Sequence, residues 1–212
     1  MVGREQMLVY SVMAIVLSNL FTVSVETNVR GKIRRGNVAV DYIKPVNVFL
    51  MYFAEDIGSM VTALFLRCAP ILLCSALFIA APRPASFTAF ILFAASSLLS
   101  YLILWLISAL VGLMYFKAVE MGPVGTIKDY LIMIFSGSFV PIWFFPEPVQ
   151  KVLEFLPFIY TYQLPLGIYI GRTSAVRGLK GMLIQLIWVA VFLALFITLK
   201  RKTERNIFVQ GG

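Results

Sequence analysis

Apolar residues in this chain come in long uninterrupted runs, with the polar ones gathered between them. The first run, Met7 to Val25, holds nineteen residues without a charge. As a helix it reaches about 28 Å, close to one hydrocarbon thickness. Ile57 to Ala80 follows, broken only by Arg67. Phe87 to Phe116 is thirty residues without charge. At about 45 Å as a helix, it has to tilt, kink or project from the membrane. Tyr130 to Phe145 has only sixteen, so its helix is expected to begin earlier, near Pro123. Gly181 to Leu199 closes the series. The pattern predicts an all-α integral membrane protein, one transmembrane domain over residues 1–212. Its five spans fall near 7–25, 57–80, 87–116, 123–145 and 181–199, with no internal repeat.

The polar positions between the runs give an orientation. Arg30, Lys32, Arg34, Arg35 and Lys44 share one side with Lys117, Lys128 and the cations after Leu199. That side carries eleven cations and the other six. The richer side is expected to be cytoplasmic, which makes residues 26–47 a cytoplasmic loop and puts the N-terminus outside. No cleavable leader is evident, so the first run reads as a permanent span. An outside N-terminus without a leader points to a span preceding this chain.

One stretch breaks the pattern. Gly137, Pro141, Pro146 and Pro148 interrupt the fourth run near its outer end. Val149, Val152, Leu153 and Leu156 then fall at helical spacing opposite Gln150, Lys151 and Glu154. They predict a short amphipathic helix starting at Pro148, with Glu147 at its positive end and Pro157 as its stop. A further break is expected at Pro165. Residues 136–172 therefore read as short re-entrant helices in the outer leaflet. Trp143, Tyr160, Tyr162 and Tyr169 suit that depth. Non-helical backbone there survives only when buried in protein or lining a cavity. That makes Gly137, Pro141, Phe144, Phe145, Pro146, Phe155 and Phe158 candidates for an outer gate. A surface-lying lid with structural duty only is the alternative.

Composition agrees with a membrane protein: 60% of the 212 residues are hydrophobic and 13% charged, where a soluble domain has about a quarter charged. The net charge of +8 does not point to nucleic acid, because the cations cap apolar runs. Arg67 is the intramembrane charge. It is either functional, or it snorkels to the cytoplasmic surface or pairs with Glu55 or Asp56. Glu26, Asp41, Glu55, Asp56, Glu120, Asp129 and Glu204 are expected near the cytoplasmic face, and Glu5, Glu147 and Glu154 outside. With no acid at mid-membrane, a carboxylate proton relay is disfavoured. Small residues four apart, Ser96 with Ser100 and Ser108 with Gly112, favour close helix packing.

The chain has no histidine, which excludes Ser-His-Asp and Cys-His catalysis and the usual metal clusters. Cys68 and Cys74, six apart in one apolar run, read as small buried or lipid-facing residues rather than zinc ligands. No P-loop occurs. Uphill transport by this chain would draw its energy from another.

"IRRGNVAVDYIKPVN" (33–47), "FSGSFVPIWFFPEPVQKVLEFLPF" (135–158) and "YTYQLPLGIYIG" (160–171), with the terminal "VQGG", resemble the ABC-2 family of bacterial ABC transporter permeases. The viologen or multidrug-type branch is the most similar. The resemblance covers nearly the whole chain and is most specific over Phe135 to Gly171. Family members usually have six spans and an inside N-terminus; this chain resembles the last five.

The resemblance implies an exporter of two permeases, homo- or heterodimeric, and two cytoplasmic ATPases in the bacterial cytoplasmic membrane. ATP and Mg would be bound by the partner ATPase, and no cofactor by this chain. The loop 26–47 then looks like the coupling helix that docks on the ATPase. Gly36 would allow its entry, Asn37 cap it, Asp41 and Tyr42 contact the partner, and Lys44 with Pro45 end it. Arg30, Lys32, Arg34 and Arg35 would meet lipid headgroups or acids of the ATPase. A basic loop that only sets orientation is the alternative. Two other classes, a non-transporting scaffold and a lipid-acting enzyme, are disfavoured by the broken outer segment and by the missing histidines. An amphipathic or hydrophobic substrate fits the aromatic, charge-poor chain.

The charge pattern makes a direct prediction. In a cysteine-free background, Ala39→Cys should resist a membrane-impermeant thiol reagent added to intact cells. Ready labelling from outside would invert the topology.

Overall fold

The computed structural model describes residues 3–36, 47–79, 81–116 and 123–210. Among them every regular element is helical: α1 (Arg4–Leu20), α2 (Val25–Arg34), α3 (Val48–Ala63), α4 (Ala69–Phe78), α5 (Phe87–Tyr115), α6 (Val124–Phe135), α7 (Glu147–Leu153), α8 (Gln163–Tyr169) and α9 (Ala175–Gln210). Four helical stretches are long and apolar enough to cross a bilayer: Arg4–Arg34, Val48–Phe78, Phe87–Tyr115 and Ala175–Thr203.

The expected fourth span is the main departure. Helix α6 stops at Phe135 after 12 residues, about 18 Å and too short to cross. Gly137 takes φ +85°, a left-handed angle open to glycine at little cost. The chain turns there instead of continuing to Phe145. Two other boundaries move outward. The second crossing starts at Val48 rather than Ile57, because Asn47 caps it by accepting from Phe49 N at 3.1 Å. The last begins at Ala175 and runs 36 residues.

Proline chemistry shapes the second crossing. Pro70 cannot donate to the helical ladder. Just ahead of it, Leu64–Cys68 forms a π turn in which Ala69 N donates to Leu64 O, five residues back. Arg67 sits in this turn.

Helix α5 is the hub. Half of its most apolar window is buried within the protein, against 11% for α9 and 17% for Val48–Phe78. Its small residues lie at packed faces. Gly112 faces α2, where a Cβ would make ordinary contact, 3.6 Å from Glu26 Cα. Ser96 and Ser100 face α9. Ser86 starts α5 by accepting from Ala89 N at 3.0 Å. Tyr10, Leu17, Tyr101, Trp105, Ile168 and Leu166 form the centre of the core. The two cysteines divide as the sequence allowed: Cys68 is buried against α1 and Cys74 is exposed.

The ends of the helices fall into two groups. Gln6 Nε2 donates to Ile170 O at 3.4 Å and Ala85 N to Tyr169 O at 2.9 Å. Those contacts gather the start of α1, the α4–α5 connection and residues 136–174 at the end expected to face outward. At the opposite end Arg30 lies over the Tyr115 ring, 5.3 Å from its centroid, and Lys32 over Tyr52 at 4.9 Å. Two cations expected at headgroups are thus turned onto aromatic faces of the bundle.

The first crossing is interrupted between Leu20 and Val25. Asp56, on α3, repairs the break. Its Oδ1 accepts from Ser24 N at 2.9 Å and from the Ser24 hydroxyl, while Oδ2 accepts from Trp105 Nε1 at 3.0 Å. Asp56 is fully buried, not at the cytoplasmic face as the sequence reading placed it. Its burial is tolerated because both oxygens have donors and the positive end of α2 is adjacent. Asp56→Ala should strand these donors, at about 1–3 kcal/mol for each. The solubilised protein should melt markedly earlier, and Asp56→Asn, which keeps one acceptor oxygen, by less. Equal, negligible shifts would show that the carboxylate does not hold the break.

Candidate functional site

Two interruptions of helix, one in the first crossing and one after α6, flank a cavity of about 350 Å³. Its inner end is lined by Lys128 and Ser108, its wall by Phe21 and Ile132, and its outer end by Ser138 and Tyr162.

The inner end carries a nearly buried ion pair. Lys128 Nζ reaches Glu26 Oε2 at 2.7 Å, with side-chain exposures of 13% and 12%. The same ammonium contacts Ser108 Oγ at 2.9 Å and Asp129 Oδ1 at 3.0 Å. Helix α6 comes this close because residue 125 is glycine: a Cβ there would lie 1.7 Å from Glu26 Oε1. Gly125 N also donates to the Tyr115 hydroxyl at 3.3 Å.

The outer end is built around Gln163. Its backbone N donates to Ser136 O at 2.9 Å. Its Oε1 accepts from Ile142 N at 3.1 Å and from the Tyr10 hydroxyl at 2.8 Å. The same hydroxyl lies 2.7 Å from Gly137 O. Tyr10 and Gln163 thus tie the turn at Gly137 to α1 and α8. Trp143 completes the unit, edge-on to Tyr10 at 4.9 Å and under the Arg172 guanidinium at 4.4 Å.

A third cluster fastens the far side of the segment. Gln185, fully buried on α9, donates from Nε2 to Tyr160 O at 2.7 Å and reaches Ser96 O and Ser100 Oγ at 3.0 Å each. Ser96 Oγ returns a bond to Gln185 Oε1 at 3.0 Å. The Tyr160 hydroxyl donates to Glu154 O at 2.9 Å.

The sequence-derived residues divide accordingly. Gly137 and Pro141 are buried at the turn, as a break in protein requires. Phe144 and Phe155 are 62% and 81% exposed, Pro146 is exposed, and Phe145 is half-buried. Phe158 lies 6.4 Å from Phe135, ring to ring. None of these aromatic side chains lines the cavity; Tyr162 does. Helix α7 ends at Leu153, its single buried residue, so Leu156 lies beyond it and Val152 points outward. Pro165 sits in the first turn of α8 and breaks nothing, since a proline is tolerated there.

Gly36 lies just past α2 with φ +69° and its N bonded to Ile33 O at 3.1 Å. Asn37, Asp41, Tyr42, Lys44 and Pro45 lie outside the described residues. Arg67 is exposed and pairs with no described acid: Asp56 is committed to Ser24 and Trp105, and Glu55 is exposed.

Sequence reasoning missed Asp56, Gln163, Gln185 and the Glu26–Lys128 pair. Gln185 carried a signal, an amide alone in a long apolar run. The ion pair carried none, because its partners are 102 residues apart.

A family model described as ABC-2 family transporter protein matches residues 3–205. No curated protein and no solved structure matches the chain.

The tight approach at Gly125 is testable by a double-mutant cycle. Gly125→Ala should destabilise the protein by about 1–3 kcal/mol through overpacking. The cost should largely vanish in a Glu26→Ala background. An identical cost in both backgrounds, measured by unfolding in detergent, would separate Gly125 from the ion pair.

Proposed function

The chain belongs to the ABC-2 family of transporters, and from that premise we propose that it is the permease subunit of an ATP-binding cassette exporter in the bacterial cytoplasmic membrane. The observation that carries the proposal is the cavity between the interrupted first crossing and α6, roofed by the turn at Gly137. It has aromatic walls, hydroxyls and, at its inner end, Lys128 held between Glu26 and Asp129. Such a lining suits an amphipathic or hydrophobic molecule better than a small ion. With no P-loop in the sequence, ATP and Mg are assigned to a separate cytoplasmic ATPase.

The outer gate of the proposal is the segment from Gly137 to Phe158. Its closed position rests on a few hydrogen bonds from Tyr10, Gln163 and Gln185. Each contributes on the order of 1 kcal/mol net, so the segment can move without unfolding the bundle. The apolar, mostly unburied faces of Val48–Phe78 and Ala175–Thr203 leave room for lipid and for a second permease. Coupling is assigned to residues 37–45 between α2 and α3, with Asp41 and Tyr42 as the docking side chains.

The test is reconstitution with the ATPase that co-purifies. Gly137→Leu with Pro141→Leu should leave assembly and ATP hydrolysis intact while export falls about tenfold or more. Normal export would reduce the outer segment to a lid. Asp41→Lys should instead lower substrate-linked ATP hydrolysis, and unchanged hydrolysis would remove the coupling assignment. Failure of any ATPase to co-purify with the intact permease would overturn the exporter itself.

A further inference from the structure

A second cavity lies on the other side of the interrupted first crossing. Phe21 and Val23 face the cavity already described, whereas Thr22, between them, lines a groove of about 620 Å³ against α3 and the π turn. Glu55, Ser59, Thr62 and Arg67 line it with Thr22. Glu55, Ser59, Thr62 and Arg67 are all exposed, on a helix otherwise apolar enough to cross a bilayer. A polar stripe at that depth is costly against hydrocarbon unless something polar covers it.

Two groups in the groove are unsatisfied. Arg67 has neither an ion pair nor a hydrogen bond to any described residue, and the buried Thr22 Oγ1 has no hydrogen-bond partner. Ala63, Leu66 and Arg67, three and four residues apart, share the wall of the groove. Glu55 is twelve residues away, about 18 Å along the helix, so it marks the far end and leaves the Arg67 end positive. Leu66, 72% exposed, lines the same groove beside Arg67 and gives it an apolar wall.

We infer that this groove binds an anionic amphiphile, with its phosphate or carboxylate head on Arg67 and its tail along Leu66. The planar guanidinium offers paired donors that match either oxyanion. The site is distinct from the proposed export cavity and does not depend on transport.

Native mass spectrometry of the full chain tests it, with phosphatidylglycerol and phosphatidylcholine of identical acyl chains as the probes. The wild type should retain phosphatidylglycerol preferentially. Arg67→Gln should cut that preference about tenfold or more. Arg67→Lys, which keeps the charge but not the fork, should fall between. Glu55→Gln should leave the preference unchanged or raise it. These two milder variants carry the test if Arg67→Gln fails to fold. Undiminished preference in both Arg67 variants, or an equal fall in Glu55→Gln, would overturn the site. Displacement of the lipid by inorganic phosphate at equal concentration would assign the groove to a free anion and refute the amphiphile. Loss of a dimer in Arg67→Gln with lipid retention intact would make it a protein interface, which also refutes the inference.

Discussion

Every backbone group exposed by a broken helix inside an apolar bundle has to find a partner within the protein, because hydrocarbon offers none. This chain breaks its helices in the first crossing and again after α6, and several of its polar side chains inside the bundle are spent on those breaks. Asp56 takes the freed Ser24 N–H at the first break. Tyr10 and Gln163 serve the second, at Gly137 O and Ile142 N. Gln185 and Ser100 share the carbonyl of Tyr160, where the outer segment returns to the bundle. Remove these side chains and the more stable arrangement is an uninterrupted helix, with no turn at Gly137 and no roofed cavity.

The same economy explains the connections between distant elements. Asp56 binds α3 to the start of α2 and to Trp105 on α5. Lys128 binds α6 to Glu26, in the first turn of α2. Helix α2 is therefore held from both sides at its beginning, while its end leads into residues 37–45, the proposed docking region. In the proposed exporter, a displacement of α2 by the ATPase would reach both the ion pair at the inner end of the cavity and the break in the first crossing. The physical link is a short helix whose N-terminal contacts are charged and buried.

Much of this was legible in the sequence. The long apolar runs predicted five spans; four of them carry helices long and apolar enough to cross, and the helix expected over 123–145 stops at Phe135, before Gly137 and the prolines that follow. The small-residue spacing on α5 marked two packing faces, and the family resemblance agrees with the family match over residues 3–205. What stayed hidden depended on pairing across the chain. Asp56 looked like a loop-proximal acid because the apolar run seemed to start at Ile57, whereas the helix begins at Val48 and carries Asp56 inside. The amphipathic pattern around Pro148 predicted more helix than forms, since Leu153 alone among its apolar residues finds a buried place. Gate aromatics were picked by composition, but Phe144 and Phe155 face outward, and the side chain under the roof is Tyr162.

Amide hydrogen exchange in lipid nanodiscs tests the central claim most directly. If the breaks are satisfied from within the protein, the amides of Ser24, Ile142 and Gln163 should exchange as slowly as those in the middle of α5. Replacing Gln163 with Leu should then expose Ile142 N selectively. Fast exchange at these three amides in the wild type would contradict the account, because it would mean that water, and not the buried side chains, satisfies the interruptions.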